Sequence, residues 1–238
     1  MSSLRRRSGI ELALAASGVL LVIGLAVLVS ADLTDSFDAS IIALVRAPEL
    51  AAVLSPLRLI TELGSTAAVT AVAIIVAAIG LLLRTWRSGL AGALAITLAS
   101  LGNSAFKIGI ARERPDLLEP VIVEHGFSFP SGHSALGMVA YGVLAVVVSR
   151  STLPRAARSA IVVALGLLVG LIGLSRIWLG VHYPTDVLAG WSAGAVVVLV
   201  YAALTRPESP GPAAAAAAGD PGAPRSDPPA PASGAPRG

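Results

Sequence analysis

The chain has 238 residues, 55% hydrophobic and 13% charged, with a mean hydropathy of +0.82. Soluble domains carry about 25% charged residues, so an ordinary soluble enzyme is excluded, and apolar runs of roughly 20 residues fit a polytopic helical membrane protein. A formal net charge of +3 is weak ground for a nucleic-acid partner, because arginines in such a chain are first of all topology signals, and the absence of cysteine excludes disulfides, thiol nucleophiles and cysteine-held zinc.

Arg5, Arg6 and Arg7 precede an apolar run from Ile10 to about Ser30. Val29-Ser30-Ala31 resembles a signal cleavage site, but the run exceeds the roughly 7–15 residues of a signal core, and it reads as an uncleaved first span. From Ala31 to Leu63 acidic and basic residues are spread among Ile, Leu and Val, and Pro48 and Pro56 interrupt them. This is read as an interfacial amphipathic helical segment, with a plain connecting loop as the alternative. Further spans are expected at about 64–83, 88–106, 131–149, 159–174 and 184–204. Gly166-x-x-x-Gly170 and Gly190-x-x-x-Gly194 permit close helix contact in the last two. The organisation expected is a basic cytoplasmic N-terminus over 1–9, a six-span domain over 10–205, and a disordered Pro/Ala/Gly-rich cytoplasmic tail over 206–238.

Six spans put Arg5–Arg7, Arg84, Arg87, Arg150, Arg155, Arg158 and Arg206 on one side, the cytoplasmic one by the positive-inside rule. Arg46, Arg58, Lys107, Arg112, Arg114 and Arg176 fall on the other side. Their clustering at span ends suggests a site rather than topology noise.

Three patches gather there. The first, KIGIARERP, holds Lys107, the only lysine in the chain, and Arg114 before Pro115. A lone lysine among arginines suggests a required point charge, against the ordinary reading of a snorkelling interfacial side chain. The second, FPSGHS, starts a span: Pro130 stops any preceding helix, Ser131 is a natural N-cap, and Gly132 admits a ligand close to the backbone. The free N–H groups and dipole of that helix start suit an anion, and His133 lies in the first turn. The third, SRIWLGVHYPTD, holds Arg176, His182 and Asp186 between two apolar runs. Pro184 suits the first helical position, which leaves His182 just outside the helix with Asp186 in its first turn. A carboxylate there can orient the imidazole and leave its other nitrogen nucleophilic. The same histidines and aspartate could be read as metal ligands, but Lys107, Arg114 and Arg176 around one pocket would repel a divalent cation and attract a phosphate. No metal or other cofactor is therefore expected.

In these three patches the chain resembles the type-2 phosphatidic acid phosphatase superfamily. Its signature matches Lys107 with Arg114-Pro115, then Pro130-Ser131-Gly132-His133, then Ser175-Arg176 with His182 and Asp186, complete and in order. The resemblance implies an all-α polytopic fold with its active site at the outer membrane face. It implies that His182 attacks phosphorus to form a phosphohistidine, that Asp186 orients it, and that His133 protonates the leaving oxygen. Lys107, Arg114, Arg176 and the backbone at Ser131 and Gly132 would hold the phosphate. His125 matches no motif position and reads as a loop residue, and Arg112 as an ancillary charge. The expected substrate is a membrane lipid phosphate, with undecaprenyl diphosphate placed first because its phosphate must be removed at that face. Phosphatidate, phosphatidylglycerol phosphate and lipid phosphotransfer are the alternatives, and an inactive transporter or scaffold of the same fold is the non-enzyme reading. The expected location is a bacterial cytoplasmic membrane with both termini inside.

Overall fold

The computed structural model describes residues 2–116 and 120–206, with side chains from residue 9 onward except at 53. The tail expected after Arg206 lies outside the described residues. Among those described there is no strand. Seven main helices follow one another: α1 (Ser2–Ser30), α2 (Asp35–Val45), α3 (Thr66–Leu82), α4 (Trp86–Ile110), α5 (Gly132–Ser149), α6 (Arg155–Trp178) and α7 (Pro184–Leu204). Five of these (α1 and α4–α7) are individually long and apolar enough to cross a membrane, and a sixth span results if Leu57–Gly64 and α3, bent by 53°, are taken together.

Local chemistry explains the ends of the helices. Ser65 caps α3 by accepting from the Ala68 amide at 3.3 Å. Ala111 closes α4 in the left-handed region at φ 53°. Pro130 precedes α5, and Pro184 opens α7 at its first position. Two helices run further than expected, α4 to Ile110 and α6 from Arg155 to Trp178. The charges of Lys107 and Arg176 suggested span ends, but these heads find partners within the protein, so the helices continue past them.

The segment after α1 is helical, as expected, though broken into pieces. α2 buries Asp38 and Ile42, and the short turns Pro48–Leu50, Ala51–Leu54, Leu57–Ile60 and Thr61–Gly64 follow it. Pro48 and Pro56 each lack an amide donor, which is why no single helix spans the stretch.

The core lies where α3 and α4 meet α5 and α6, around Val69, Val76, Val139, Val143 and Ile172. α1 closes the other flank, with Leu25 and Val29 packed against Phe129 and Ala189. The two Gly-x-x-x-Gly pairs behave differently. A Cβ at Gly190 would lie 2.7 Å from the Ser131 carbonyl oxygen, and one at Gly194 would lie 2.7 Å from that of Ala135. α7 therefore lies directly against the backbone of α5. Gly166 and Gly170 have nothing within 4 Å of such a carbon, so the same pattern on α6 brings no helix close.

Candidate active site

The C-terminal ends of α4 and α6 and the N-terminal ends of α5 and α7 meet at one end of the bundle. At the opposite end, Arg150 donates to the Thr205 and Ala202 carbonyls, joining the finish of α5 to that of α7. The three patches separated in sequence are brought together at the first end.

His182 sits in the short turn between α6 and α7. Gly180, at φ +77°, lets the chain reverse there in a conformation that disfavours a side chain. The imidazole is 1% exposed. Its Nδ1 faces Asp186 Oδ2 at 3.3 Å, and its Nε2 faces Arg114 Nη1 at 3.4 Å. A guanidinium can only donate and a carboxylate can only accept. The two neighbours together select the tautomer with hydrogen on Nδ1 and an unprotonated Nε2 that accepts from Arg114. Burial pushes the imidazole pKa down to about 4, against the opposing pull of Asp186, so the ring is neutral at physiological pH.

Asp186 lies in the first turn of α7 and is fully buried. Its Oδ2 also accepts the Tyr183 amide at 2.9 Å, which fixes the carboxylate against the helix start. Its Oδ1 accepts from Arg112 Nη1 at 2.8 Å. Sequence reasoning gave Arg112 only an ancillary place, yet its guanidinium bridges Asp186 and the buried Asp38 and lies 3.8 Å from the centre of the Tyr183 ring. Burial opposes its charge, but Asp186 and Asp38 outweigh burial and raise its pKa.

The cations sit around this imidazole. Lys107 donates from the last turn of α4 to the Phe127 and Ser128 carbonyls. Arg114 donates to the Gly126 carbonyl at 3.0 Å, to His125 at 3.1 Å and to Val181 at 2.8 Å. His125 thus serves the site through its backbone oxygen. Arg176 is buried in the last turn of α6 and donates to Thr61 Oγ1 at 2.7 Å. Glu124, which the sequence did not single out, pairs with Arg176 and lies 3.2 Å from Arg114. Burial alone would raise its carboxyl pKa, but Arg176 outweighs burial and holds it below the usual range. The same carboxylate is close enough to feel His182 and His133.

His133 stands in the first turn of α5. The stretch before α3 walls it in, since a Cβ at Gly64 would meet its Cδ2 at 3.0 Å. Ser131 was expected to cap this helix, but its side chain makes no capping bond and instead accepts from Ser134 Oγ at 3.0 Å. The Ser131 amide donates to the Asp186 carbonyl at 3.0 Å, so it ties α5 to α7. The amides that helix geometry leaves open are those of Gly132, His133 and Ser134. Beside the site, an apolar cleft of about 530 Å³ runs down the bundle from Phe106, Asn103 and Pro130 to Tyr201 and Leu204. Among the described residues no group of three or more His, Asp or Glu is arranged to hold a metal.

Helices close around the buried His182, the half-buried His133 and clustered cations at one end of an apolar bundle. Residues 88–209 match the PAP2 superfamily. Phosphatidylglycerophosphatase B of Bacillus subtilis is 35% identical over 136 residues, spanning 57% of this chain and 66% of that protein. The crystal structure of a transmembrane PAP2 type phosphatidylglycerolphosphate phosphatase from Bacillus subtilis is similar with a TM-score of 0.68 at 30% identity, over 80% of this chain and 94% of that one. Aquifex aeolicus LpxE shares the fold at a TM-score of 0.55 and 23% identity, over 68% of this chain and 92% of that one. The chain belongs to the PAP2 superfamily.

Proposed function

We propose that the protein hydrolyses a phosphate monoester on a glycerophospholipid headgroup, with phosphatidylglycerol phosphate as the first substrate to try. The observation that carries this reading is the neutral His182, held between Asp186 and Arg114 with its Nε2 lone pair turned toward a cationic pocket. The relatives' names move phosphatidylglycerol phosphate ahead of undecaprenyl diphosphate, the substrate placed first from position alone.

In the proposed reaction, His182 Nε2 attacks phosphorus. A P–N bond forms, the P–O bond to the lipid breaks, and the departing oxygen takes a proton from His133. Asp186 accepts from Nδ1–H and steadies the positive charge on the phosphorylated ring. Water, losing a proton to His133, then attacks phosphorus, breaks the P–N bond and releases inorganic phosphate. Lys107, Arg114, Arg176 and the amides of Gly132 and His133 carry the charge on the transferring oxygens. Phosphoryl transfer asks mainly for such positioning and charge stabilisation. The apolar cleft beside Pro130 suits an acyl chain, and the arginines at the far end of the bundle favour an outward-facing site.

The test is phosphate release by reconstituted protein from phosphatidylglycerol phosphate, phosphatidate and undecaprenyl diphosphate, each with the His182→Ala and His133→Ala variants. The expected result is fastest turnover of the first lipid, none by His182→Ala on any substrate, and, from His133→Ala on an aryl phosphate whose leaving group needs no proton, a retained first-turnover burst of the aryl alcohol. Faster turnover of undecaprenyl diphosphate would overturn the substrate choice. Equal loss in both variants on both kinds of leaving group would overturn the roles.

A further inference from the structure

Asp186 has two carboxylate oxygens with different duties. Oδ2 faces His182 and accepts from the Tyr183 amide, while Oδ1 accepts from Arg112 at 2.8 Å. The same Arg112 nitrogen donates to Thr185 Oγ1 at 2.8 Å. The other terminal nitrogen donates to Asp38 Oδ2 at 2.8 Å and to Thr34 Oγ1 at 3.2 Å. Asp38 in turn accepts from the Thr185 amide at 3.0 Å and from Thr185 Oγ1 at 2.7 Å. Asp38 and Asp186 are both fully buried, and Arg112 lies between them with its side chain 11% exposed. Two buried carboxylates thus share one guanidinium, and both meet at the first turn of α7.

A carboxylate held by one oxygen alone can still swing about its last torsion, since sp³–sp² torsions are broad. Pinning Oδ1 to a planar donor removes that freedom and leaves Oδ2 aimed at Nδ1. The planar fork of arginine does this in a way that a lysine point charge does not. From this network we infer that Arg112 and Asp38 are positioning residues for His182, acting through Asp186. Asp38, on the helix that follows the first span, is the anchor. Neither residue touches the phosphate. This inference rests on the phosphatase reading above, and its test separates the two.

The full-length protein, reconstituted in vesicles, is assayed on phosphatidylglycerol phosphate as wild type, His182→Ala, Arg112→Ala, Arg112→Lys and Asp38→Asn. A misplacement of the nucleophile on the order of 1 Å costs about a hundredfold in rate. Arg112→Ala is therefore expected to lose about that much kcat with KM within about twofold. Added guanidinium chloride at low millimolar concentration should restore part of the rate, and Arg112→Lys should remain impaired. Asp38→Asn keeps a side chain of the same shape on Thr185 but removes the charge facing Arg112, so its kcat should fall roughly tenfold, again with KM unmoved. A rise in KM at constant kcat for Arg112→Ala would make it a phosphate ligand and overturn the inference. So would loss of kcat that guanidinium cannot restore, because a merely structural gap would behave that way. Arg112→Lys keeps the positive charge and serves as the second variant should Arg112→Ala fail to fold; full activity in it would equally overturn the inference. Full activity of His182→Ala would instead sink the phosphatase mechanism itself.

Discussion

Replacing Gly190 by alanine tests the packing that holds the two halves of the site together. The added carbon would lie 2.7 Å from the Ser131 carbonyl oxygen, 3.0 Å from Ser134 Cβ and 3.1 Å from the Ala135 amide nitrogen, whereas ordinary contact begins at 3.4 Å. Two of those neighbours are backbone atoms at the start of α5, so no side chain can rotate away. The helices must part by several tenths of an ångström. Overpacking of this kind costs about 1–3 kcal/mol. The parting separates His133 on α5 from Asp186 on α7, and a shift approaching 1 Å costs about a hundredfold in rate. The expected outcome is a lower thermal midpoint in nanodiscs and a tenfold or greater loss of phosphate release. Gly166→Ala and Gly170→Ala are the controls, since nothing lies within 4 Å of either added carbon; both should be as stable as the parent or more stable by up to about 1 kcal/mol, because alanine is the better helix former. Full activity and unchanged stability in Gly190→Ala would refute the close α5–α7 contact.

Two further outcomes follow from the electrostatics. In the substrate-free protein, ¹⁵N signals of the His182 ring should show the Nδ1–H tautomer and no titration until pH falls toward about 4. An unfolded chain takes up that proton near 6.5, so this imidazole stabilises the fold fully above 6.5 and progressively less as pH drops toward 4. A ring that titrates near 6.5 in the folded protein would contradict the buried, neutral imidazole. Glu124→Gln removes the negative charge that Arg114 and Arg176 share. Inorganic phosphate should then inhibit at a concentration several-fold lower, and unchanged or weaker inhibition would mean that Glu124 does not compete for those arginines.

The sequence made the motif residues legible because each patch carries its own local chemistry. A helix start after Pro130, a histidine four residues before an aspartate and a lone lysine near a span end can each be recognised without the fold. Asp38 could not be found that way. It lies among Asp32 and Asp35 in a mixed stretch, and only the approach of α2 to the start of α7 buries it against Thr185. Arg112 and Arg114 are alternate residues of one short loop, and nothing local says which of them reaches the imidazole and which the carboxylate. Glu124 sits in a loop with no periodicity at all. The glycine pairs mark the limit from the other side: their spacing is the same on α6 and α7, and what separates them is the neighbour that each helix meets.

The path from α1 through α2 to Asp38 sets what a rebuilt version of this protein has to contain. The stretch that carries every signature residue, 107–186, contains neither the aspartate that grips Thr185 nor the leucine and valine of α1 that press on Phe129 and Ala189. A chimaera that transplants only the signature stretch onto another bundle would carry the signature side chains without the contacts that Asp38 and α1 supply. A cassette that keeps these contacts includes the opening helices, with an aspartate at position 38 to meet Arg112 and Thr185.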